Sequence, residues 1–364
     1  MKIGIVTIHR SKNYGAELQA YAMQTFLQQQ GFEVGVVDYW PQYRQETEKL
    51  LSISQLKVLP WKQRILLLIQ APLVFRRFHK RWKSTKHFIN QYLCLSKDNN
   101  YDAVVYGSDQ IWRKMNYPKF KGYDSVFFGD ENIVAKKRIS YAASMGKVTF
   151  ANEKDEDLFI ALLNNFDAIS VRETDLKSYL DSKLGMDVPT VCDPVFLLDK
   201  EQWESFIDDS IIPSYSYIFY YNHQGLTTTT SFTNYLHNVT HLPIIEMRGQ
   251  VPPFHYNKRY CLTGDAREFV SLLSGAAYVV TSSFHGVALS ICLEKQFYYA
   301  SRQRRANRIE SLLQSLHLQG RKIEGEYDII YRNAPIDYKS VQQDLFIIVE
   351  KSKCWLNSQI EENG

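Results

Sequence analysis

Residues 2–38 carry the clearest signal of the fold and read KIGIVTIHRSKNYGAELQAYAMQTFLQQQGFEVGVVD. Residues 2–8 are rich in β-forming side chains, and within residues 16–30 apolar side chains recur on one helical face. Gly31 ends this predicted helix, and residues 32–38 form a second predicted strand. A strand, a loop, a helix and a second strand in this order predict the opening of a doubly wound parallel sheet.

The same alternation continues along the chain and restarts once. Further strands are predicted at residues 102–106, 138–143, 168–171 and 190–192, and after a break at 217–221, 243–247, 260–262 and 278–281. The chain has 364 residues, enough for two domains of roughly 150–200 residues each. We therefore expect an α/β protein with one domain at 1–200, a second at 215–335 and a cleft between them. We expect the segment 336–364 to form a helix that packs back on the first domain.

Composition and missing motifs exclude several classes of protein. Hydrophobic residues make up 45% and charged residues 23% of the chain, which is typical of a globular protein. A net charge of +4 gives no support for nucleic-acid binding. Five scattered cysteines without ligand spacing predict free thiols in a reducing cytoplasm and no metal site. The sequence lacks P-loop, HExxH and GxSxG motifs, which argues against P-loop nucleotidases, zinc proteases of that type and α/β-hydrolases.

Membrane association stays open at the level of sequence. The N-terminal residues read as a strand rather than a signal peptide. The longest apolar stretch, residues 65–75, is shorter than the roughly 20 residues that span a bilayer. Residues 61–88 mix Lys and Arg with Leu, Ile, Phe and Trp, and predict a surface helix whose apolar side packs on the domain. The alternative is a basic amphipathic helix on an anionic membrane. We expect a cytoplasmic protein, with peripheral contact at the inner membrane face as an option.

Polar residues follow the predicted strands at the edge where parallel sheets bind ligands. Asn13 follows the first strand and either caps the next helix or touches a ligand, while Gly15 permits a close backbone approach. Asp109 and Trp112 follow the strand at 102–106. They are candidates for holding a sugar hydroxyl and for stacking on a sugar face. The structural alternative is a helix cap followed by a core tryptophan.

The strongest single motif is TSSFHG at residues 281–286, which follows a strand and opens a helix. A histidine at a helix N-terminus among hydroxyl groups is a candidate for proton transfer, although a lone histidine is more often structural. Arg172 directly follows the strand at 168–171, and a basic cluster runs from Arg302 to Arg308. Guanidinium groups suit bidentate contact with phosphate and carboxylate. The alternatives are an ion pair of Arg172 with Glu173 and a solvated basic loop.

Seven segments occur in the order found in one known family. They are NYGAELQAYA at residues 13–22, YGSDQIW at 106–112, SYAAS at 140–144, SVRE at 170–173, CDP at 192–194, TSSFHG at 281–286 and NRI at 307–309. Each segment is weak alone, but together they cover most of the chain. On these segments the sequence resembles the polysaccharide pyruvyl transferase family.

The resemblance implies two Rossmann-like domains in a GT-B-like arrangement with an interdomain cleft. It also implies transfer of the pyruvyl unit of phosphoenolpyruvate, as a ketal, onto hydroxyls of a sugar or lipid-linked oligosaccharide, without a cofactor. The biological setting it implies is bacterial surface polysaccharide biosynthesis, such as that of a capsule or exopolysaccharide. Many members carry an arginine two positions before the histidine, where this chain has Ser283. This departure shifts the binding of the donor's anionic groups to Arg172, Arg308 and either Arg304 or Arg305.

The expected roles follow from the motifs and the resemblance together. His285 is the candidate for proton transfer. The donor-binding candidates are Arg172, Ser282, Ser283, Arg304, Arg305, Asn307 and Arg308, and the acceptor-binding candidates are Asn13, Tyr14, Gly15, Asp109 and Trp112. Two other functions stay open. One is a nucleotide-sugar glycosyltransferase of the same shape, and the other is a non-catalytic carbohydrate-binding protein that has lost its donor clamp at Ser283.

Overall fold

The computed structural model describes residues 1–11, 13–47, 60–248, 260–262, 264–324 and 334–361. The strands among them are β1 (Lys2–Val6), β2 (Glu33–Val37), β3 (Leu95–Ser96), β4 (Asn100–Tyr106), β5 (Met115–Tyr117), β6 (Phe120–Gly122), β7 (Val134–Ala143), β8 (Ala168–Val171), β9 (Ile218–Tyr221), β10 (Ile244–Met247), β11 (Tyr260–Leu262), β12 (Tyr278–Thr281) and β13 (Phe297–Tyr299). The α-helices are α1 (Tyr14–Gln29), α2 (Gln42–Thr47), α3 (Trp61–Tyr92), α4 (Glu153–Leu163), α5 (Thr174–Leu184), α6 (Lys200–Phe206), α7 (Thr227–Thr240), α8 (Ala266–Ser274), α9 (Phe284–Cys292), α10 (Gln303–Ser315) and α11 (Tyr338–Glu361). Short 3-10 turns lie at Ser125–Phe128, Pro194–Leu197, Asp209–Ile211 and Gln319–Arg321.

Two parallel sheets form the framework of the protein. The first has the strand order β3-β2-β1-β4-β7-β8, and the second has the order β11-β10-β9-β12-β13. In the first sheet, Ile3 of β1 lies opposite Val34 of β2 on one side and Ala103 of β4 on the other. In both sheets the strand that comes first in the sequence, β1 or β9, lies inside the sheet. The next two strands are added on one side of it, and the later strands are added on the other side. This is the topology of a Rossmann-like sheet, which binds ligands at that switch point.

The opening of the chain folds as the sequence predicts. β1, α1 and β2 follow one another, and Gly31 after α1 has a φ of 83°, a conformation that favours glycine. The predicted strand at 190–192 is wrong, because Thr190 forms only an isolated bridge with Val171 before a 3-10 turn begins at Pro194. The edge strand β13 was not predicted from the sequence.

One apolar cluster joins the helices of the two sheets. It contains side chains of α1 together with side chains of α8 and α9. Tyr14 stacks on Phe269 with ring centroids 4.8 Å apart and meets Tyr221 edge-on at 5.6 Å. Each sheet lies within one of the predicted ranges, 1–200 and 215–335, but the core runs across both. Those domain limits therefore stay a prediction.

The C-terminal helix α11 contacts the first sheet. The hydroxyl oxygen of Ser352 accepts a hydrogen bond from the backbone N–H of Cys192 at 2.9 Å. The ring of Trp355 lies 6.3 Å from the ring of Tyr141 on β7. These contacts place α11 beside the turn at Pro194–Leu197, close to the loops that follow β8.

The long helix α3 is buried at one end and exposed at the other. In its C-terminal half Arg81 and Phe88 are buried, and the Arg81 guanidinium lies 4.1 Å from the centre of the Tyr14 ring. In its N-terminal half large apolar side chains are exposed, among them Trp61 at 66% and Phe75 at 58%. Among the described side chains, the predicted packing of the apolar side therefore holds only for the C-terminal half. None of the helices in the described ranges has the length and apolar character needed to cross a membrane.

Candidate functional site

The candidate site lies where the two sheets face each other. Loops after β1 and β4 approach from the first sheet, and loops after β9 and β12 approach from the second. Both pairs of strands flank the switch point of their sheet, where open α/β sheets bind ligands. Together with α10 these loops enclose a cavity of about 130 Å³, here called the polar cavity. It is lined by Asn13, Asp109, Gln110, His223, Gln224, Ser282, Ser283, Phe284, His285, Arg308 and Ile309.

Two helix N-termini from opposite sheets meet at the polar cavity. Asn13 caps α1, and its side-chain oxygen accepts a hydrogen bond from the N–H of Gly15 at 3.2 Å. Ser283 precedes α9, and its hydroxyl forms no capping bond with the described residues of that helix. Helix N-termini carry partial positive charge and N–H groups without helical partners. Their convergence therefore suits an anionic ligand.

His285 lies in the first turn of α9 and is 4% exposed. Its Nε2 atom lies 3.4 Å from the Oδ2 atom of Asp193. The other side of the ring packs on Gly15, where an added Cβ atom would stand 2.0 Å from Nδ1 of His285. A side chain does approach the backbone at Gly15 closely, and it is the side chain of His285. Gly15 does not line the polar cavity, and its predicted contact with the acceptor stays a prediction.

Asp193 is the buried carboxylate at the centre of the site. Its Oδ2 atom accepts hydrogen bonds from Arg172 and, at 3.2 Å, from the hydroxyl of Ser108, and it faces His285. Burial alone would raise the pKa of Asp193, but the charges of His285 and Arg172 outweigh burial and hold the pKa well below its usual range. Asp193 is therefore ionised at neutral pH. The sequence carried one signal for it, an Asp-Pro pair that follows a predicted strand.

Arg172 organises the charges behind His285. Its Nε atom donates to Glu173 at 3.2 Å, and its Nη1 atom donates to Asp193 and, at 3.2 Å, to Ser108. Burial lowers the pKa of Arg172, but Glu173 and Asp193 outweigh that effect and raise it above its usual range. Arg172 does not line the polar cavity. Arg172 thus lies behind the polar cavity and supports Asp193, and its predicted contact with the donor stays a prediction.

Arg308 of α10 is the predicted donor-binding arginine that reaches the polar cavity. Its Nη1 atom lies 4.0 Å from Asp109 of the first sheet, and its Nε atom lies 3.8 Å from Glu173. Burial raises the pKa of Asp109, but Arg172, His285 and Arg308 outweigh it, so the net pKa is lowered. For Glu173 burial is the larger effect, and it raises the pKa although Arg172 and Arg308 act to lower it. Arg308 thus links the two sheets across the cavity. The side chains of Arg304, Arg305 and Asn307, also predicted to bind the donor, lie outside the described residues.

Two predicted acceptor contacts belong to the core instead. Trp112 is 0% exposed, and its Nε1–H donates to the carbonyl of Phe127 at 3.2 Å. Tyr14 is also 0% exposed, and its hydroxyl donates to the carbonyl of Arg248 at 3.2 Å. Neither ring has a face left for a sugar. Both predictions are wrong because these aromatic side chains are buried by packing in the core. Asn13 and Asp109 do line the polar cavity, as does Ser283.

The loop after β9 contributes two residues that the sequence analysis missed. His223 and Gln224 line the polar cavity. The backbone N–H of Gln224 donates to the hydroxyl of Ser282 at 2.9 Å, and its side-chain amide donates to the carbonyl of Ser282 at 2.6 Å. Ser282 therefore fixes a loop as well as lining the cavity. The missed signal is the polar run that follows the strand predicted at 217–221. Among the described residues, no three His, Cys, Asp or Glu side chains lie close enough to hold a metal ion.

Comparison with solved structures shows the fold. A putative UDP-N-acetylglucosamine 2-epimerase from Listeria monocytogenes is similar with a TM-score of 0.52 at 12% identity, and the match covers 100% of this chain and 97% of that one. The S. aureus MnaA-UDP co-structure is similar with a TM-score of 0.50 at 12% identity, and the match covers 98% of this chain and 95% of that one. The predicted α/β fold with two Rossmann-like domains in a GT-B-like arrangement is confirmed.

Sequence comparison gives the family. Among curated proteins, none matches the chain. A family model described as polysaccharide pyruvyl transferase matches residues 13–304, which is most of the chain. The matched range contains the N-terminus of α1, Asp193 and His285. The chain therefore belongs to the polysaccharide pyruvyl transferase family.

Proposed function

We propose that this protein transfers the pyruvyl group of phosphoenolpyruvate onto two hydroxyls of a sugar, forming a ketal and releasing phosphate. Membership of the family supports a transferase that acts on polysaccharides. The polar cavity carries the finer proposal, because two helix N-termini, Arg308 and His285 converge there. Phosphoenolpyruvate carries a phosphate and a carboxylate, and both groups suit such surroundings.

The size of the polar cavity favours this donor over a nucleotide sugar. Pockets for drug-sized ligands typically enclose about 300–1,000 Å³. The polar cavity holds about 130 Å³, which fits a compact anion. A buried carboxylate 3.4 Å from a histidine favours catalysis over carbohydrate binding alone, because Asp193 has a strongly lowered pKa and such groups in a cleft are typical of catalytic sites.

Arg308 takes the place of the arginine that many family members carry two positions before the histidine. Ser283 stands at that position here and offers a hydroxyl to the polar cavity. Arg308 lines the same cavity from α10. We assign it the contact with the phosphate or carboxylate of the donor, since its planar fork can bind either group with two hydrogen bonds.

The chemistry begins with proton transfer from His285 to the methylene carbon of phosphoenolpyruvate, which turns C2 into an oxocarbenium-like centre. A sugar hydroxyl adds to C2, and its proton returns to His285. Phosphate then leaves with the electron pair of its C–O bond. The second hydroxyl adds to C2, its proton leaves with the phosphate, and the ketal ring closes. Acid–base catalysis of this kind contributes roughly 10²–10⁴-fold to the rate. Asp193 orients the imidazole and stabilises its charge.

The acceptor that we propose is a sugar unit of a bacterial surface polysaccharide, free or as a lipid-linked oligosaccharide in the cytoplasm. The reaction needs no cofactor, because both bonds to C2 form through proton transfers and loss of phosphate.

The proposal is tested by phosphate release from phosphoenolpyruvate in the presence of galactosides, mannosides and glucuronides. We expect release that requires an acceptor and falls by roughly 10²-fold or more in His285→Ala. Ser205→Ala is the control, since Ser205 is an exposed residue of α6 outside the polar cavity. Absence of both phosphate release and phosphoenolpyruvate binding would overturn the proposal in favour of a nucleotide-sugar donor.

A further inference from the structure

A second cavity lies directly beside the polar cavity. It occupies about 440 Å³ between the loops after β8, α10 and α11, and is here called the side chamber. Phe284 and Arg308 line both cavities, so only a layer of side chains separates them. Its volume lies within the range of about 300–1,000 Å³ that is usual for ligand pockets.

The side chamber has the two kinds of surface that bind a sugar. Apolar side chains of α10 and α11, including Leu312, Leu345 and Ile348, form one part of its wall. Hydroxyl groups of Thr190 and Ser311 belong to another part. A pyranose has nonpolar C–H faces and a rim of hydroxyls, so it can use both surfaces.

A buried donor atom also marks the side chamber as a binding site. The Arg172 side chain is 4% exposed and lines the chamber. Its Nη2 atom has no hydrogen-bond partner among the described residues, although Nε and Nη1 are paired. Buried guanidinium N–H groups are rarely left unpaired in proteins. Nη2 is itself buried, and the ring of Phe284 lies 5.0 Å from the guanidinium carbon, so a ligand oxygen in the side chamber becomes the partner of Nη2 when the Phe284 side chain moves aside.

We propose that the side chamber binds the sugar acceptor, with a hydroxyl or carboxylate oxygen of the sugar on Nη2 of Arg172. The inference builds on the proposed function, in which the donor occupies the polar cavity. It replaces the acceptor contacts expected at Tyr14 and Trp112. The shared side chains, Phe284 and Arg308, then lie between donor and acceptor, where the new bond must form.

The test fills the side chamber with a tryptophan side chain and measures KM for the acceptor and KM for phosphoenolpyruvate separately. Ser311→Trp places an indole inside the chamber, and Ser315→Trp places one at its exposed mouth. Ser205→Trp is the matched control, because Ser205 is an exposed helical serine outside both cavities. The probes are p-nitrophenyl galactoside, mannoside and glucuronide, whichever supports phosphate release by the wild type.

We expect KM for the acceptor to rise at least roughly tenfold in both chamber variants, while KM for phosphoenolpyruvate stays within about twofold. The control keeps both values. Unchanged acceptor KM in a chamber variant that still binds phosphoenolpyruvate would overturn the inference and leave the proposed function standing. A wild type that releases no phosphate with any probe would instead contradict the proposed function.

A separate observation concerns the exposed half of α3. Trp61, Ile65, Leu68, Ile69 and Phe75 follow a spacing that puts them on one helical face, and they are 49% to 66% exposed. The 32-residue helix contains eight Lys or Arg residues and no Asp or Glu. An apolar face with tryptophan and phenylalanine, on a helix whose charged residues are all Lys or Arg, is typical of helices that lie on anionic membranes.

We infer that the exposed half of α3 docks on an anionic phospholipid surface. Charge argues against a second copy of this chain as the occupant, because two such helices would repel each other. The docking would hold the protein at a membrane surface through this helical face. It is independent of the reaction that the protein catalyses.

Vesicle co-sedimentation of the full chain tests this inference. Ile69→Asp puts a charge on the exposed face, and Ile347→Asp is the matched control, since Ile347 is 67% exposed on α11. We expect the wild type and the control to sediment with phosphatidylglycerol-containing vesicles and Ile69→Asp to lose at least roughly tenfold in binding. Equal binding by the two variants, equal binding to pure phosphatidylcholine, no binding at all, or a dimer that Ile69→Asp abolishes would overturn it.

Discussion

Gly15→Ala adds one methyl group beside His285 and tests whether the rate of the reaction depends on the position of the imidazole ring. The added Cβ would stand 2.0 Å from Nδ1, 2.3 Å from Cγ and 2.7 Å from Cβ of His285. Nonbonded carbon atoms pack at about 3.5–4.0 Å, so the ring or the start of α1 must move by more than about 1 Å. His285 is buried, and its Nε2 lies only 3.4 Å from Asp193, so this movement breaks the pairing.

A displacement of about 1 Å in a catalytic group can cost roughly 10²-fold in rate. We therefore expect Gly15→Ala to lose about 10²-fold in kcat for phosphate release, with overpacking that costs about 1–3 kcal/mol in stability. The assay is phosphate release, accompanied by thermal unfolding. Gly35→Ala is the control, because its Cβ would stand 2.7 Å from the Cβ of Ser96, and neither residue lines the polar cavity or the side chamber. It should lose stability but keep kcat. A folded Gly15→Ala protein with kcat within about threefold of the wild type would show that the position of His285 does not control the rate.

Three further predictions follow from buried groups. Asp193→Asn removes the charge that faces His285, and we expect kcat for phosphate release to fall by about 10²-fold or more with the fold retained, as circular dichroism would show. Burial raises the pKa of Glu17 to about 8 against the opposing charge of Arg81. Because this folded-state pKa lies above the unfolded value, the stability contribution is full below about pH 4.5 and is lost as pH rises through about 8; Glu17→Gln should flatten that decline in Tm. Trp112→Phe should lower Tm through lost core packing and leave the acceptor KM unchanged, whereas a raised KM would restore a sugar contact at Trp112.

The fold could be predicted from the sequence because its signals are local. The β-rich run at the N-terminus, the helical periodicity after it and Gly31 each act within a few residues. The strand predicted at 190–192 failed for a local reason as well, since the Asp-Pro pair turns the chain before a ladder can form. The edge strand β13 depends on pairing with β12, which no short window contains.

The candidate site could be predicted only in part. His285, Arg308, Asn13 and Asp109 lie at the carboxyl ends of strands, and the topology brings all four to one cavity. The roles of side chains could not be predicted, because they depend on partners distant in sequence. Arg172 forms ion pairs with Glu173 and Asp193, and the partner Asp193 is brought to it only by the fold. An aromatic residue that follows a strand gives the same sequence pattern whether its side chain binds a sugar or packs in the core.

In the proposed reaction the carbon skeleton of phosphoenolpyruvate moves to the acceptor, and mass spectrometry follows this transfer. The protein would be incubated with phosphoenolpyruvate isotopically labelled at C2 and with the acceptor that supports phosphate release. We expect the acceptor to gain one labelled carboxyethylidene group with the wild type and none with His285→Ala. Labelled pyruvate with an unmodified acceptor, or label that stays in phosphoenolpyruvate under every acceptor, would contradict the proposed reaction.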